Sequence, residues 1–471
     1  MISGLCQKTF PGQPQCRARA HPPPPAKVVK LSQFRATPST GLNGETTVPG
    51  DKSISHRALI LAALAAGRTK IFGMLASDDV THTSAALGAL GVSIGQNPDG
   101  PWHVDGVGIG GMREPDQVLD LGNSGTGARL LMGIAAGHPF TTNFTGDASL
   151  VQRPMSRVAD PLRRMGATVL CRSGDRMPLS VTGPQHPIPI SYDMPVPSAQ
   201  VKSAVLFAGL SAPGETSVYE AQATRDHTER MLTRFGAGIT VAPRDGGVRI
   251  TLVGQPELVP TDIQVPGDPS SAAFLIVAAT VIPNSLVHIS GVGMNPLRTG
   301  LVYTLVEMGG DIRVENPREE GGEPVADLTV ESARLHGVSI PADRAPRMID
   351  EYPILAVAAA CAEGTTTLAG LAELRVKESD RLAAISDGLA ACGVQSDSSQ
   401  DTLVIQGCGG PPPGGGNVRG HFDHRIAMAF LVLGMAAKAP VQVDDAEAIA
   451  TSFPGFADHF GALGADIQAV S

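Results

Sequence analysis

Several residue types and patterns are scarce in this chain of 471 residues, and each scarcity excludes a class of protein. Only 6 cysteines are present, and their scattered spacing argues against a disulfide framework or a zinc site and favours a reducing compartment. No apolar run reaches the roughly 18 residues of a membrane span. The net charge of −9 gives no general attraction for nucleic acid or an anionic membrane. We therefore expect a soluble, cytoplasmic protein in which anionic ligands are met by local clusters of cations.

Aromatic residues are also few, at 4% of the chain against 42% apolar residues, so the cores must be built from aliphatic side chains. The length exceeds what one hydrophobic core usually holds, and two domains are expected. Residues 1–44 contain no Asp or Glu, as in a transit peptide. However, His21 and the four prolines after it favour a disordered N-terminal extension over residues 1–35 or a misassigned start.

A short pattern recurs six times: an apolar residue, then Gly, then a small residue that leads into a strand-like run. It is centred on Gly91, Gly166, Gly236, Gly309, Gly393 and Gly464. Because each copy follows an amphipathic stretch, each Gly is predicted to end a helix before a strand. Every repeat also holds an alanine-rich helix that is apolar on most faces, which is typical of a helix enclosed within a domain. The starts of these helices are predicted at Ser53, Ser124, Ser198, Ser270, Asp350 and Asp423.

The tetrapeptide Val-Pro-Gly-Asp occurs at Val48–Asp51 and again at Val265–Asp268. Pro and Gly favour a turn between a strand and a helix, so we predict that the chain crosses between two lobes at both places. One domain would then span residues 51–266. The other would be discontinuous and would combine residues 36–50 with residues 267–471.

Several predicted helix starts carry cations, a combination suited to anions because free N–H groups and the helix dipole already favour negative charge there. Lys52, Ser53 and Arg57 lie in one such first turn. The glycines of Gly122–Gly127 would let a ligand oxygen approach the backbone closely. Further cations at comparable positions are Arg153, Lys202, Arg225, Lys377, Arg381 and Arg425. Each of these features could instead be a solvated first turn, a tight turn or a surface ion pair.

Two carboxylates are the candidates for acid–base chemistry. Glu378 lies between Lys377 and Arg381, and those cations are expected to keep it ionised. Asp350 could simply cap a helix, although capping and catalysis are compatible. We expect the nearby histidines to be structural; they are His56, His227 and His424. The run Gly106–Gly111 fits G-x-G-x-x-G, but the residues after it cannot begin a Rossmann helix, so we reject a dinucleotide site there.

Taken together, these motifs resemble the 5-enolpyruvylshikimate-3-phosphate (EPSP) synthase family, the 3-phosphoshikimate 1-carboxyvinyltransferases. The likeness covers residues 37–468 and rests on Pro-Gly-Asp-Lys-Ser-Ile-Ser-His-Arg, Gly-Asn-Ser-Gly-Thr, Gln-Arg-Pro-Met, Ser-Ala-Gln-Val-Lys-Ser, Arg-Val-Lys-Glu-Ser-Asp-Arg-Leu and Asp-His-Arg-Ile-Ala-Met. The resemblance implies an α/β fold, a two-domain inverse α/β barrel of six βαβαββ repeats with three repeats per domain. It also implies a protein that is usually monomeric and closes over its substrates.

The activity implied by the resemblance is transfer of the enolpyruvyl (1-carboxyvinyl) group of phosphoenolpyruvate to the 5-hydroxyl of shikimate 3-phosphate. Phosphate is released by addition and elimination through a tetrahedral intermediate, without a metal or other cofactor. The matching motifs imply that shikimate 3-phosphate is bound by Lys52, Ser53, Arg57, Ser198, Ala199, Gln200 and Arg225, with Asp350 and Lys377 at its hydroxyls. Phosphoenolpyruvate would be bound by Gly125, Arg153, Arg381 and Arg425, with Lys52 reaching both substrates. Asp350 would act on the 5-hydroxyl proton, and Glu378, assisted by Lys52, on the enol carbon.

Two departures from the common family pattern matter for this transfer of roles. Residues 451–454 read Thr-Ser-Phe-Pro, so a lysine that many relatives use for phosphoenolpyruvate has no counterpart, and Arg225 can supply part of the missing charge. This form, with Ser-Ala-Gln at 198–200, resembles the divergent bacterial class II. Class members tolerant of glyphosate can carry Ala at the position of Gly125, so the glycine here predicts sensitivity.

Two other functions remain as alternatives. The related UDP-N-acetylglucosamine enolpyruvyl transferase typically uses a loop cysteine as acid, and no cysteine of this chain lies in an anion-binding motif. A non-catalytic anion-binding module would share the basic helix starts but would not need Asp350 and Glu378 beside them.

Overall fold

The computed structural model describes residues 33–96 and 100–470. Most of the predicted extension, residues 1–35, lies outside these ranges. Its last three residues are ordered, because they belong to the strand Gln33–Ala36, which pairs antiparallel with strands Val441–Val443 and Ile467–Val470.

The described residues form 24 strands. The strands are β1 (Gln33–Ala36), β2 (Asn43–Thr47), β3 (Ala66–Phe72), β4 (Ser93–Gln96), β5 (Trp102–Val107), β6 (Leu119–Asp120), β7 (Thr141–Thr145), β8 (Thr168–Arg172), β9 (Arg176–Thr182), β10 (Ser191–Asp193), β11 (Glu215–Glu220), β12 (Ile239–Arg244), β13 (Gly247–Val253), β14 (Ile263–Gln264), β15 (Leu286–Gly293), β16 (Asp311–Glu320), β17 (Glu323–Glu331), β18 (Ser339–Ile340), β19 (Thr365–Ala369), β20 (Ser396–Ser398), β21 (Thr402–Gln406), β22 (Asn417–Val418), β23 (Val441–Val443) and β24 (Ile467–Val470).

The same residues form 12 α-helices. The helices are α1 (Lys52–Leu64), α2 (Asp78–Ala89), α3 (Gly125–Ala135), α4 (Ser156–Arg164), α5 (Ala199–Gly209), α6 (His227–Arg234), α7 (Pro269–Val281), α8 (Gly300–Glu307), α9 (Tyr352–Cys361), α10 (Arg381–Ala391), α11 (His424–Ala436) and α12 (Phe456–Ala462). Short 3-10 helices lie at Leu150–Gln152, Ala342–Arg347, Ala372–Val376 and Ala446–Thr451.

The strands are arranged in six four-stranded sheets, each with one parallel and two antiparallel pairings. Their orders are β14-β3-β5-β4, β6-β7-β9-β8, β10-β11-β13-β12, β16-β17-β15-β2, β18-β19-β21-β20 and β22-β23-β1-β24. Along the chain, a short strand precedes each buried helix, and a second strand, an outer helix and two antiparallel strands complete the unit, except that the last unit takes one of those two strands, β1, from the start of the described chain. The predicted α/β fold of six βαβαββ repeats is therefore confirmed.

The odd-numbered helices are the buried ones, as their apolar sequences predict. α3 packs against α1 and α5, while α7, α9 and α11 all pack against one another. Small residues permit this closeness: a Cβ added at Gly133 in α3 would lie 2.4 Å from the carbonyl oxygen of Ala204 in α5. Two clusters of buried apolar side chains result, one within residues 54–265 and one within residues 36–48 and 272–463.

All six repeated glycines end helices as predicted. Their φ angles lie between 75° and 102°, a region that costs glycine little because it has no Cβ. In every case the glycine N–H bonds the carbonyl three residues back, and the next N–H bonds the carbonyl five residues back. This is the Schellman motif, which satisfies the free carbonyls of a helix end before the chain turns into a strand.

The predicted helix starts are correct at three of six positions. Ser124, Ser198 and Asp423 cap α3, α5 and α11 with their side chains. The other three predictions, Ser53, Ser270 and Asp350, are wrong as caps because an acidic residue stands at each N-cap position instead. Those N-cap residues are Asp51, Asp268 and Glu351.

The two Val-Pro-Gly-Asp segments lie side by side. Asp51 N–H donates to the carbonyl of Pro266, and Asp268 N–H donates to that of Pro49. The short strand before each segment pairs with the unit that follows the other segment, β2 with β15 and β14 with β3. The domain limits, residues 51–266 and residues 36–50 plus 267–471, remain a prediction, and this exchange of strands supports them.

Candidate active site

Asp350 lies between the 3-10 helix Ala342–Arg347 and α9, in the middle of a group of cations. Its carboxylate is 2.5 Å from Arg225 Nη2, 3.2 Å from Arg381 Nη1 and 3.4 Å from Lys377 Nζ. Arg425 Nη1 donates to its carbonyl oxygen at 3.1 Å. Burial opposes ionisation, but Lys377, Arg225 and the other two cations hold the pKa of Asp350 well below its usual value.

Glu378 is the second carboxylate of this group. It forms a close ion pair with Arg381 and lies 3.6 Å from Arg153 Nη1. Burial again favours the protonated form, yet Arg381 and Arg153 hold the pKa of Glu378 well below its usual value. The sequence-based prediction that cations keep Glu378 ionised is therefore confirmed.

Arg381 joins the two carboxylates and is itself only 1% exposed. Its Nε and Nη2 atoms donate to the carboxylate of Asp423 at 2.8 and 3.2 Å. Asp423 also caps α11, the helix that carries Arg425. The planar guanidinium can hold three carboxylates at once because its N–H donors point in fixed, separate directions.

The loop Gly122–Gly127 brings a further pair of cations to the site. Arg153 Nη2 donates to Asn123 Oδ1 at 2.6 Å and to Ser149 Oγ at 3.2 Å. A Cβ added at Gly125 would lie 2.9 Å from Arg153 Nη1 and 3.0 Å from Arg129 Nη1. Glycine at 125 therefore leaves room for both guanidinium groups beside the start of α3.

Arg129 was not singled out by the sequence analysis. Its Nη1 donates to Gln200 Oε1 at 2.8 Å and to the carbonyl of Gly125 at 3.3 Å. Burial, together with Arg153, lowers its pKa to about 10. Its spacing of four residues from Gly125 on one helix is the signal that could have identified it, because residues i and i+4 share a helix face.

The first turn of α1 places its three candidate residues differently. Lys52 Nζ lies 3.0 Å from Asp79 Oδ2. Arg57 is buried, donates to Ser203 Oγ at 2.9 Å and to Thr228 Oγ1 at 2.7 Å, and burial lowers its pKa to about 10. The Ser53 carbonyl accepts from Arg57 Nη1 at 2.9 Å.

The start of α5 connects this turn with the glycine loop. Ser198 caps the helix, and the carbonyl of Ala199 accepts from Ser203 Oγ at 2.6 Å. Gln200 bonds Thr126 Oγ1 at 2.9 Å as well as Arg129. Lys202 does not face an anion site: it is 0% exposed and lies 2.8 Å from Glu220 and 2.7 Å from Glu229.

The three histidines near these motifs are buried. His56 bonds Thr83 Oγ1 at 2.8 Å, and burial lowers its pKa to about 3. His227 bonds Glu323 Oε1 at 2.7 Å. Burial and the nearby Lys52 hold the pKa of His424 well below its usual value. Neutral imidazoles at His56 and His424 add no positive charge to the site.

The structure thus brings most of the predicted site residues into one connected group. Residues 54–265 contribute Arg153, Arg225, Gly125 and Gln200 to this group. Residues 272–463 contribute Asp350, Lys377, Glu378, Arg381 and Arg425. Arg57, with the Ser53 carbonyl, joins through Ser203 and Ala199 rather than by direct contact with the two carboxylates, and Lys52 pairs with Asp79 instead. The arrangement can bind two multiply charged anions beside two carboxylates.

The segment that lacks the family lysine, residues 451–454, contributes to the hydrophobic core. Phe453 is fully buried, and its ring centroid lies 5.4 Å from that of Phe456 in an edge-on contact. This segment therefore contributes packing rather than charge.

Three further observations concern ions, thiols and membranes. Among the described residues, no group of three or more His, Cys, Asp or Glu side chains is arranged to hold a metal ion. The cysteines described here, Cys171, Cys361, Cys392 and Cys408, are free. None of the helices in the described ranges combines the length and apolarity needed to cross a bilayer.

Six βαβαββ units around two buried helix clusters, with a cation-lined acidic pair, define a two-domain inverse α/β barrel of the enolpyruvyl-transferase class. A solved structure of the enolpyruvyl transferase NikO from Streptomyces tendae has this fold, with a TM-score of 0.74 at 20% identity over 93% of this chain and 99% of that one. EPSP synthase from Acinetobacter baumannii is more similar, with a TM-score of 0.83 at 45% identity over 93% of this chain and 100% of that one.

Residues 36–460 match the family described as EPSP synthase (3-phosphoshikimate 1-carboxyvinyltransferase). A 3-phosphoshikimate 1-carboxyvinyltransferase from Paramagnetospirillum magneticum is 59% identical over 439 residues, 93% of this chain and 98% of that one. One from Methylorubrum extorquens is 59% identical over 437 residues, 92% of this chain and 96% of that one. The chain belongs to the EPSP synthase family.

Proposed function

We propose that this protein transfers the enolpyruvyl group of phosphoenolpyruvate to the 5-hydroxyl of shikimate 3-phosphate and releases phosphate, as a step in aromatic amino acid biosynthesis. The observation that carries the proposal is the pair Asp350 and Glu378, held ionised by cations drawn from distant parts of the chain. An anion-binding module needs the cations but has no use for two ionised carboxylates among them.

The charges of the two substrates explain the density of cations. Each phosphate carries roughly −1.5 to −2 at neutral pH, and each substrate also has a carboxylate. We assign the binding of shikimate 3-phosphate to Lys52, Ser53, Arg57, Ser198, Ala199, Gln200 and Arg225, with Asp350 and Lys377 at its hydroxyls. We assign phosphoenolpyruvate to Gly125, Arg153, Arg381 and Arg425, with Lys52 between the two substrates. Arg129 joins this second set, because it flanks Gly125 together with Arg153.

Substrate binding would also prepare Asp350 to act as a base. In its ion pair with Arg225 this carboxylate is a poor proton acceptor, because its pKa is so low. A phosphate that draws Arg225 away removes one of the cations responsible, and the pKa of Asp350 rises towards the range useful for catalysis. Asp350 would then take the proton of the 5-hydroxyl as that oxygen bonds to C2 of phosphoenolpyruvate.

Glu378 would complete the addition in the same way. Phosphoenolpyruvate competes for Arg153 and Arg381, which raises the pKa of Glu378, so that Glu378 takes up a proton from solvent and passes it to the methylene carbon, with Lys52 nearby. A tetrahedral adduct with a new methyl group results. Glu378, again a carboxylate, then takes back one methyl proton as the C–O bond to phosphate breaks, which restores the double bond, so one phosphate leaves for each ether formed.

The test is phosphate release from phosphoenolpyruvate by the purified protein with different acceptors. Release that requires shikimate 3-phosphate supports the proposal. Release that requires UDP-N-acetylglucosamine identifies the related transferase. If neither acceptor leads to phosphate release, the protein is a module without this activity. We further propose that the protein acts as a monomer and that it acts in the cytoplasm, and the free thiols of the described cysteines support the second of these.

A further inference from the structure

The side chain of Arg298 lies where the two Val-Pro-Gly-Asp segments meet. It follows β15 and is only 2% exposed. Its Nη1 lies 2.9 Å from Asp51 Oδ2, and its Nη2 lies 3.2 Å from Asp268 Oδ1. One guanidinium therefore binds the last residue of both segments. The proposed reaction does not by itself explain why the Val-Pro-Gly-Asp motif occurs twice.

Both aspartates also start helices of the two domains. Asp51 accepts from Ile54 N–H at 2.8 Å and so caps α1, which carries Lys52 and Arg57. Asp268 accepts from the N–H of Ser270 at 2.8 Å and from the N–H of Lys52 at 3.2 Å. Any displacement of Arg298 is therefore passed to the first turn of α1, where shikimate 3-phosphate is expected to bind.

A second branch leads from Arg298 to the reacting carboxylate. Arg298 Nη2 donates to Ser270 Oγ at 2.8 Å, and the Ser270 hydroxyl donates to Glu351 Oε1 in a very short hydrogen bond. Glu351 is the N-cap residue of α9, directly follows Asp350 and lies 3.6 Å from Arg425. Glu351 is 3% exposed, so its orientation depends on these partners.

The surroundings of Arg298 leave little room for another arrangement. His227 Nε2 lies 3.4 Å from Arg298 Nη1, and its other ring nitrogen bonds Glu323. Asn295 donates to Glu323 at 2.9 Å and to Asp226 at 2.6 Å, beside Arg225. A Cβ added at Gly50 would lie 1.9 Å from the carbonyl oxygen of Gly73, so the first crossing packs closely against the backbone that follows β3.

We propose that Arg298, Ser270 and Glu351 are positioning residues that tie both chain crossings to Asp350 and so align the two domains for transfer. The inference rests on the proposed function. It predicts that loss of the branch to Glu351 lowers kcat but leaves the Kd of shikimate 3-phosphate nearly unchanged. The reason is that the groups assigned to shikimate 3-phosphate lie mainly within residues 51–266, whereas Asp350 lies in the other range.

The decisive variant is Ser270→Ala, which breaks the branch to Glu351 but leaves Arg298 paired with both aspartates. The expected result is a fall of about tenfold or more in kcat, because a small misplacement of a reacting group is costly. The Kd of shikimate 3-phosphate alone, measured by calorimetry, should stay close to that of the wild type. The matched control is Ser271→Ala, an equal truncation of an equally buried residue on the same helix turn.

Arg298→Lys keeps the charge but cannot donate to Asp51, Asp268 and Ser270 in one plane, so we expect it to lower kcat and also to weaken shikimate 3-phosphate binding through the first turn of α1. Its control is Arg313→Lys at an exposed ion pair. If Arg298→Lys does not fold, Ser270→Ala alone decides. A kcat of Ser270→Ala within about twofold of the wild type overturns the proposal. A loss of kcat in Ser270→Ala that is matched by an equal weakening of shikimate 3-phosphate binding also overturns it, since that result indicates general disruption of the structure.

A second readout separates this inference from the proposed reaction. Hydrogen exchange without substrates should be faster at residues 347–352 in Ser270→Ala than in the wild type or in Ser271→Ala, and unchanged exchange contradicts the coupling. If the wild type releases no phosphate with shikimate 3-phosphate, the proposed function fails, and the exchange result still tests whether Ser270 positions this segment.

Discussion

Arg225 and Asp350, which are 125 residues apart in sequence, form an ion pair in which Arg225 Nη2 lies 2.5 Å from Asp350 Oδ2. The arginine belongs to residues 51–266 and the aspartate to residues 267–471, so this contact joins the two predicted domains. It also pairs the cation proposed for the substrate phosphate with the proposed base. Binding and activation are thereby linked, because one arginine cannot fully serve both partners.

Replacing Arg225 tests this link through pH. In Arg225→Met, the carboxylate of Asp350 loses one of the cations that lower its pKa, so that pKa rises. Because the ionised form acts as the base, the acidic limb of the kcat/KM profile, which reports the free enzyme, should move to higher pH, while the Kd of shikimate 3-phosphate increases. The control is Arg244→Met at a partly exposed ion pair. An acidic limb that stays where it is in the wild type contradicts the link.

Removing the base itself should abolish most turnover without preventing binding. Asp350→Asn is expected to lower kcat by about 10²- to 10⁴-fold, the usual contribution of a general base. Shikimate 3-phosphate should still bind measurably in calorimetry. Asp343→Asn, an exposed acid on the preceding 3-10 helix, serves as the control and should keep wild-type turnover. Near-normal turnover of Asp350→Asn would refute the role of Asp350.

The room beside Gly125 predicts the response to glyphosate, a phosphonate longer than phosphoenolpyruvate. We expect millimolar glyphosate to inhibit the wild type. In Gly125→Ala the new methyl group meets Arg153 and Arg129 at about 3 Å, so both must shift. Inhibition should weaken and the KM for phosphoenolpyruvate should rise. Gly110→Ala, where a Cβ has no neighbour within 4 Å, is the control. A wild-type rate unchanged by the inhibitor would disprove this prediction.

Lys202 should matter for stability rather than for anion binding. Its replacement by Met leaves Glu220 and Glu229 buried without their cation, which typically costs about 3–5 kcal/mol of unfolding free energy. Urea unfolding at pH 7 measures the difference, and Lys70→Met at an exposed strand position is the control. A loss below about 1 kcal/mol, the range of an exposed ion pair, would show that the buried network is not stabilising.

The repeat structure could be predicted from sequence because its signals are local. A helix end at Gly91 or Gly464 needs a left-handed residue after an amphipathic stretch, and both requirements are visible within a few residues. The helix starts do not follow from local sequence in the same way, because Ser270 and Asp268 are both good N-cap residues. Proline at 269 favours the aspartate, since proline is preferred in the first helical position.

The roles of single cations could not be derived from their neighbours in sequence. Lys202 and Arg225 both lie near helix starts, yet one pairs with two buried glutamates and the other reaches Asp350. Only the tertiary fold decides which carboxylates come within reach. Arg298 shows the same limit: its partners Asp51 and Asp268 come together only when the two chain crossings lie side by side.

The most direct test of the central claim is the reaction of the wild type with shikimate 3-phosphate and phosphoenolpyruvate in D2O, followed by NMR. Addition and elimination at the site of Asp350 and Glu378 predict one free phosphate for each 5-O-enolpyruvyl ether and deuterium in the vinyl methylene of the product. Phosphate release without that ether, or an ether whose methylene contains no deuterium, would contradict the account.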